Sequence, residues 1–331
     1  MSGKCLTRDE LIRQLRLHHA FAIGVAFFLG ASGALAADLP DTKDDTAPIL
    51  PVASDPFTNY FLTWYDRVHQ AQATQPGWMT PLATVTPRLE EEFRYDQFFQ
   101  ERAGGAQTTV FDGGKGLEII PTTSTELLIN LPAYQDRTIQ SVHQGTTDWN
   151  FLNIKQRLIS APADKGDYVV SVMFGATAPT GAPAFATGAL PQSPWVFTPT
   201  LLAGEGWGDF DIQATTALAI PGSQESVVGK SWATNVTFQY HFAEFFWPEV
   251  EVNNTYWLDG SERGGLDQVL ITPGIIFGRF TLANAGPTTI KGIIGVGYQF
   301  AVAPNPVYFS ASGDRTPTYN HEWLISSRIT F

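Results

Sequence analysis

Hydrophobic and polar positions alternate with a period of two through much of this chain, and the clearest case closes it. In the last segment Phe331, Ile329, Ser327, Ile325 and Trp323 fall on one side, while Thr330, Arg328, Ser326, Leu324 and Glu322 fall on the other. Successive side chains of a strand point to opposite faces, so this is a strand with one apolar and one mostly polar face. Between Trp232 and His241 the same period sets Trp232, Thr234, Val236, Phe238 and Tyr240 against Ala233, Asn235, Thr237, Gln239 and His241. Read this way, the chain offers strands over residues 84–97, 116–131, 148–159, 167–178, 195–204, 208–220, 229–241, 244–257, 266–280, 288–301 and 318–331.

Segments of this length fit a membrane. At about 3.3 Å per residue and a tilt near 40°, twelve residues rise about 30 Å, enough to cross an apolar band of roughly 25 Å. The alternation therefore predicts an all-β fold, a transmembrane antiparallel up-and-down β-barrel. Single-chain bacterial barrels have even strand counts, so eleven segments imply one strand missed or two fused, and about 12 strands in a range of roughly 10 to 14. A half-buried soluble sandwich shares the alternation, but not such long strands with aromatic ends. Helical spans are a poor alternative: residues 168–204 carry no charge, yet Pro179, Pro183, Pro191, Pro194 and Pro199 would break any helix there. Pro87, Pro121, Pro199, Pro248 and Pro273 fall inside predicted strands and belong at strand ends or bulges, although Pro273 lies mid-segment.

Aromatic placement extends the picture, because Trp and Tyr favour the interfaces between membrane and water. Trp247 and Tyr256, nine residues apart, are expected to mark two girdles of one strand, with Trp257, Trp323 and Phe331 as further interface aromatics. The alternative is an aromatic core cluster in a soluble β protein.

The N-terminal part is different in kind. Residues 1–36 read as a secretory signal: Lys4, Arg8, Arg13 and Arg16 precede an uncharged run from Ala20 to Gly30, and Ala34-Leu35-Ala36 offers a cleavage site. A membrane anchor would need a longer apolar run of about 20 residues. The long polar lead also allows a translation start further along. Residues 37–56 read as a flexible tail. Residues 57–80 hold Phe57, Phe61, Leu62, Trp64, Tyr65 and Val68 at helical spacings, an amphipathic helix that either docks on the rim or plugs the lumen. Residues 81–331 are left for the barrel.

Charge and chemistry narrow the partners. Without residues 1–36 the chain keeps 16 basic against 30 acidic residues, a net near −14, which argues against nucleic acid. Cys5, the single cysteine, lies in the signal, so no disulfide or thiolate metal site is expected. His69, His143, His241 and His321 show no zinc spacing, no nucleophile elbow or phosphate-binding loop occurs, and Gly113-Gly114-Lys115-Gly116 reads as a turn. No catalytic residue, metal or cofactor is assigned. Charged residues inside strands must avoid lipid, so Glu90, Glu92, Arg94, Asp96, Lys155, Arg157, Glu249, Glu251 and Arg328 become the lumen-lining candidates. There they either form stiffening ion pairs or bind a solute.

Three short motifs add a family resemblance. Thr147-Asp148-Trp149-Asn150-Phe151-Leu152 leading to Lys155 and Arg157, Ala178-Pro179-Thr180-Gly181, and Gly206-Trp207-Gly208-Asp209-Phe210 resemble, in that order, the outer-membrane barrels of the putative meta-pathway phenol-degradation family. Thr146 stands where that pattern has glycine. The resemblance implies a porin-like transporter in the bacterial outer membrane, acting near aromatic or hydrocarbon catabolism. Its expected partners are outer-membrane lipid, the barrel-assembly machinery and a small solute that the sequence does not name. Two other classes stay open: a barrel-anchored binding or assembly component, and a rim-based lipid hydrolase using Ser326 or Ser327 near His321. The strand count, the oligomeric state and whether the helix gates the lumen are also open.

The C-terminal strand yields a test. Phe331 with Ile329, Ile325 and Trp323 forms an apolar ending suited to the assembly machinery, so deleting Phe331 should lower the amount of protein recovered in the outer membrane. Unchanged recovery would argue for a soluble periplasmic protein.

Overall fold

The computed structural model describes residues 55–101, 107–113, 115–139, 141–182, 192–261, 263–303 and 319–331. The signal and almost all of the tail expected at residues 1–56 lie outside them. Helices α1 (Pro56–Leu62) and α2 (Trp64–Ala73) come first, and a third short helix, α3 (Glu225–Val228), sits between strands. The strands are β1 (Glu92–Glu101), β2 (Gln107–Phe111), β3 (Gly116–Thr122), β4 (Thr125–Ile129), β5 (Tyr134–Ile139), β6 (Ser141–Thr146), β7 (Trp149–Ala161) and β8 (Tyr168–Ala178). There follow β9 (Val196–Trp207), β10 (Phe210–Pro221), β11 (Ser231–Tyr240), β12 (Phe246–Trp257), β13 (Asp267–Ala285), β14 (Thr288–Ala303) and β15 (His321–Thr330).

These fifteen pieces make a closed antiparallel barrel of twelve wall strands. Three wall strands are each broken in two: β1 pairs with both β2 and β3, which pair in turn with β5 and β4, and these with β6 and β7. Ten residues of β1 pair with β15 and close the cylinder. Closure leaves no strand edge, the condition for burying strands in lipid. The sequence reading had fused two strands over 116–131; the turn that separates them, Thr123-Ser124, has no glycine or proline to announce it.

The alternation separates an apolar exterior from a mostly polar interior. On β15, Trp323 is 53% exposed and Leu324 1%. On β8, Val172 and Phe174 point out while Val169 and Ser171 are buried, and on β12, Val250 points out between the buried Glu249 and Glu251. Among the described residues no helix is long and apolar enough to cross a membrane, so any crossing is made by strands. The connections at residues 123–124, 162–167, 208–209, 241–245 and 286–287 all lie at the end that holds both Glu92 and Thr330, the turn end. The strand ends joined by the longer connections, β8 to β9, β10 to β11, β12 to β13 and β14 to β15, lie at the other, the loop end.

Prolines sit where the ladder lets go. Pro273 falls between Ile271, paired with Phe300, and Gly274, paired with Gly297, so the β13–β14 ladder skips the residue that has no N–H to give. Pro199 falls in a similar gap, between the pairs Thr200–Ala217 and Phe197–Ile220. Pro121 lies at the register shift between Ile119 and Thr122.

The first predicted strand is the main correction. It was expected from residue 84, but β1 starts at Glu92, and Gln75 to Glu91 instead run inside the barrel without strand structure. The wall thus begins at residue 92, not 81. At the turn end α2 covers the lumen: Val68 and Ala71 bury against Leu89 and Ile120, with Trp64 packed beside them. Glu91 fastens this cover, accepting from Trp64 Nε1 at 2.7 Å and from the Ile120 amide at 2.6 Å.

The Glu91 joint should respond to pH. Burial pushes its carboxyl above the ordinary value of 4.5, against the pull of the Trp64 and Ile120 donors and the Arg67 charge. An acid that holds its proton more tightly when folded contributes most below its ordinary value, and that contribution is lost as pH rises through the folded value. Docking of α2 should therefore weaken from about pH 4.5 upward, and Glu91→Gln should remove the dependence. The Trp64 resonance of fluorotryptophan-labelled protein, followed in urea at both ends of that window, checks this: a midpoint that fails to fall at the higher pH contradicts it.

Candidate functional site

Extended chain inside a barrel has amides and carbonyls but no ladder to join, and here side chains of the wall take the place of a ladder. The Trp78 carbonyl accepts from Arg279 of β13 at 2.6 Å and from Arg88 of the insert itself. Gln213 of β10 donates to the Met79 carbonyl at 2.9 Å. Arg328 of β15 reaches the Thr80 and Pro81 carbonyls, and Arg94 of β1 those of Pro81 and Leu82. From β12, Glu249 accepts from the Leu82 amide at 3.0 Å, and Glu251 from the amides of Ala83 and Thr84 at 2.7 and 2.6 Å. Further along, Ser171 of β8 donates to the Pro87 carbonyl and Lys155 of β7 to that of Arg88, while Glu126 of β4 accepts from the Glu90 amide. Bases meet carbonyls and acids meet amides, as each charge requires.

Two side chains of the insert find space that the wall has kept for them. A Cβ on Gly274, Gly295 or Gly297 would come within 2.5, 2.5 and 3.0 Å of the Leu82 methyls. These glycines lie on the adjacent strands β13 and β14, with Gly274 paired to Gly297, and form a cradle for Leu82. On β9, Gly204 and Gly206 do the same for the Trp78 ring, whose Nε1 donates to Asp167 at 3.2 Å. Met79 and Leu82 then pack with Trp247, Ile276, Ile293 and Leu324 in an apolar cluster inside an otherwise polar lumen.

The structure distributes the candidate residues as follows. Glu92, Arg94, Asp96, Lys155, Glu249, Glu251 and Arg328 are buried on the inner face, and Arg94 pairs with Asp96 at 2.8 Å, Lys155 with Glu126 at 2.8 Å. Arg157 stands at the turn end and holds the end of α2 through the Ala71 carbonyl at 2.7 Å. Glu90 requires correction: it belongs to the insert, not the wall, and pairs with Arg88 at 3.1 Å. So do Trp247 and Trp257. Nine residues separate Trp247 from Tyr256, an odd number, so the two cannot share a face. Trp247 is buried in the lumen, stacked on His241 at 4.2 Å, and Trp257 is buried with Arg263 over its ring; Tyr256 is exposed outside. Trp323 and Phe331, eight residues apart, share the outer parity of β15. His321 lies 3.7 Å from Glu101, whereas Ser326, five residues along the strand, accepts from Arg328, and among the described residues neither Ser326 nor Ser327 bonds His321.

Toward the loop end the lumen opens into a cavity of about 310 Å³. Phe98 and Val110 give it an apolar side; Gln100, Gln135, Tyr319 and Glu322 give it a polar one, with Gln100 donating to Glu322 at 2.9 Å. Gly113, Ala133 and Thr147 also line it, and each falls in one of the interruptions of the broken wall strands. The sequence reading missed the insert and this cavity. Glycines in strand interiors on the inner face were the available signal.

Twelve strands closed on themselves, apolar outside and polar inside, define a transmembrane β-barrel. No protein-family model matches the chain and no curated protein matches it in sequence, so the resemblance to the phenol-degradation family gains no support there. Solved structures do match. An outer membrane channel from Pseudomonas putida F1 is 10% identical, with a TM-score of 0.45 over 72% of this chain and 94% of that one. The NanC porin is 9% identical, with a TM-score of 0.41 over 72% and 98%. OmpT, an outer membrane protein of Vibrio cholerae in its trimer form, is 12% identical, with a TM-score of 0.30 over 72% and 97%. Likeness at this level says nothing of solute or mechanism.

Glu251 offers the sharpest test of how the insert is held. Glu251→Ala leaves the Ala83 and Thr84 amides without acceptors, at about 1 to 3 kcal/mol for each buried group. Native protein in detergent should then be cut by trypsin after Arg88 at least tenfold faster, for a loss of about 1.4 kcal/mol or more. An unchanged cleavage rate would mean that the carboxylate does not retain the insert.

Proposed function

We propose that this protein is a channel of the bacterial outer membrane that passes small solutes along a lumen narrowed by its own residues 75–91. The observation that carries this reading is a polar-walled barrel with a cavity of about 310 Å³ toward its loop end, at the lower end of small-molecule sites. In the usual arrangement of such barrels the short turns face the periplasm. The cavity then belongs to the external half, and the insert and α2 to the periplasmic half.

The lining favours amphipathic solutes, including aromatic ones. Phe98 and Val110 would receive a ring or chain, and Gln100, Gln135 and Glu322 a hydroxyl or amine. Where three neighbouring strands are interrupted, the wall is least tied by main-chain hydrogen bonds, so an apolar solute has its shortest path between lumen and lipid there. Net charge contributes selectivity: without residues 1–36 the chain keeps 30 acidic against 16 basic residues, and acid in excess at the mouths should enrich cations there.

Planar-bilayer recordings test the reading. Small stepwise conductance is expected, larger in Glu251→Ala, with a weak cation preference that fades as the Debye length shrinks from about 10 Å at 0.1 M to about 3 Å at 1 M salt. A silent wild-type protein would favour an anchored binding or assembly component, and clear anion selectivity at low salt would overturn the idea of acidic mouths.

A further inference from the structure

The barrel closes where its first strand meets its last, and two arginines face each other across that seam. Arg94 of β1 and Arg328 of β15 are direct partners in the register, both point inward, and both are buried, at 1% and 0% exposure. Partners in an antiparallel ladder have Cβ atoms about 4.5 to 5.5 Å apart, and like charges in that position oppose pairing. Arg94 has a carboxylate of its own in Asp96. Among the described residues Arg328 has none within ion-pair distance: its bonds run to Ser326 Oγ and to the carbonyls of Thr80 and Pro81, all neutral oxygens.

We propose that the luminal insert has a second function, as the clasp that allows this seam to close. The Pro81 carbonyl accepts from both guanidiniums, at 3.0 Å each, so one oxygen bridges the two like charges, and the Thr80 and Leu82 carbonyls complete the set. Those carbonyls are held from the strands beside the seam, by Glu249 and Glu251 of β12 on the amides that follow and by Leu82 in its glycine cradle on β13 and β14. Without the insert, the last pairing of the fold would leave Arg94 with Asp96 and Arg328 with Ser326 alone, and the terminal nitrogens of both guanidiniums would face each other unfilled, a costly arrangement in a water-poor site. The chain therefore closes around its own segment, and the seam is made stable by the residues it encloses. This inference rests on the closed fold and is independent of whether the barrel conducts.

A sign reversal tests it. Gly295→Val with Gly297→Val fills the cradle and unseats Leu82 in the full-length chain, while adding residues that favour strands. Refolding from urea into detergent, read as the fast-migrating closed form on unboiled gels, should slow by about fivefold or more. Arg328→Gln should slow closure in the wild-type background, where it removes bonds to the insert. In the valine background the same substitution should speed closure, because the bonds to the insert are already lost there and the repulsion from Arg94 outweighs what remains, the Ser326 bond and the attraction of Glu92, Asp96 and Glu249. A valine variant that closes at the wild-type rate overturns the proposal. So does an Arg328→Gln change that slows both backgrounds or leaves the valine background unaltered, since either would mean that the valines merely damage the sheet.

Discussion

A peptide group shut away from water must find a partner, and in this barrel that rule governs the inside as strictly as the wall. The wall meets it by closing, with β15 returning to β1. The insert cannot meet it that way, because residues 75–91 pair with no strand. Its amides and carbonyls are served instead by side chains from eight wall strands, and this requirement explains why so many inward positions carry long polar groups. Arg94, Lys155, Gln213, Glu251 and Arg328 are each at most 1% exposed, yet each bonds the insert.

Charge pairing follows from the same constraint. An isolated buried ion is expensive, and a pair repays the cost only when its remaining lone pairs and protons are met. Lys155 shows both conditions: one bond to Glu126 and one to the Arg88 carbonyl. Glu126 in turn receives the Glu90 amide. Ion pairing of the wall and retention of the insert are thus one network. The groups stiffen the barrel by binding its own chain.

How much of this was legible depends on where the information sits. The inner and outer faces of β15 could be read residue by residue, because lipid on one side and polar groups on the other impose a strict period. The insert could not be read from period. Thr84 to Glu91 mimic a strand because Glu90 continues the parity of Glu92, Arg94 and Asp96, although it sits on a different element. The turn at Thr123-Ser124 was lost for want of a turn residue, so two strands appeared as one. Trp247 is a residue type that favours an interface girdle, but its parity with Glu249 and Glu251 places it indoors, and spacing outweighs type. The cavity depends on breaks at residues 112–115, 130–133 and 147–148 coinciding around the wall, a property of register that no single segment carries.

Bonds to the main chain hold the insert, yet they cannot by themselves decide its register. Every residue but proline offers the same N–H and C=O, so a shift of two residues would present Glu249 and Arg328 with much the same partners. Register needs features that differ along the insert. Pro81 and Pro87 have no amide, and at both the wall offers only donors: Arg94 and Arg328 to one carbonyl, Ser171 to the other. Leu82 is held by shape, since Gly274, Gly295 and Gly297 leave a hollow that a Cβ at any of them would invade, and Trp78 is placed likewise by Gly204 and Gly206. Strand-interior glycines weaken a sheet, so five on the inner face are a cost the wall bears where backbone and side chain approach most closely. Charged groups supply the grip and glycines supply the address. A segment held this way is fixed in position by a few apolar contacts, while its main-chain bonds fasten it without choosing among registers.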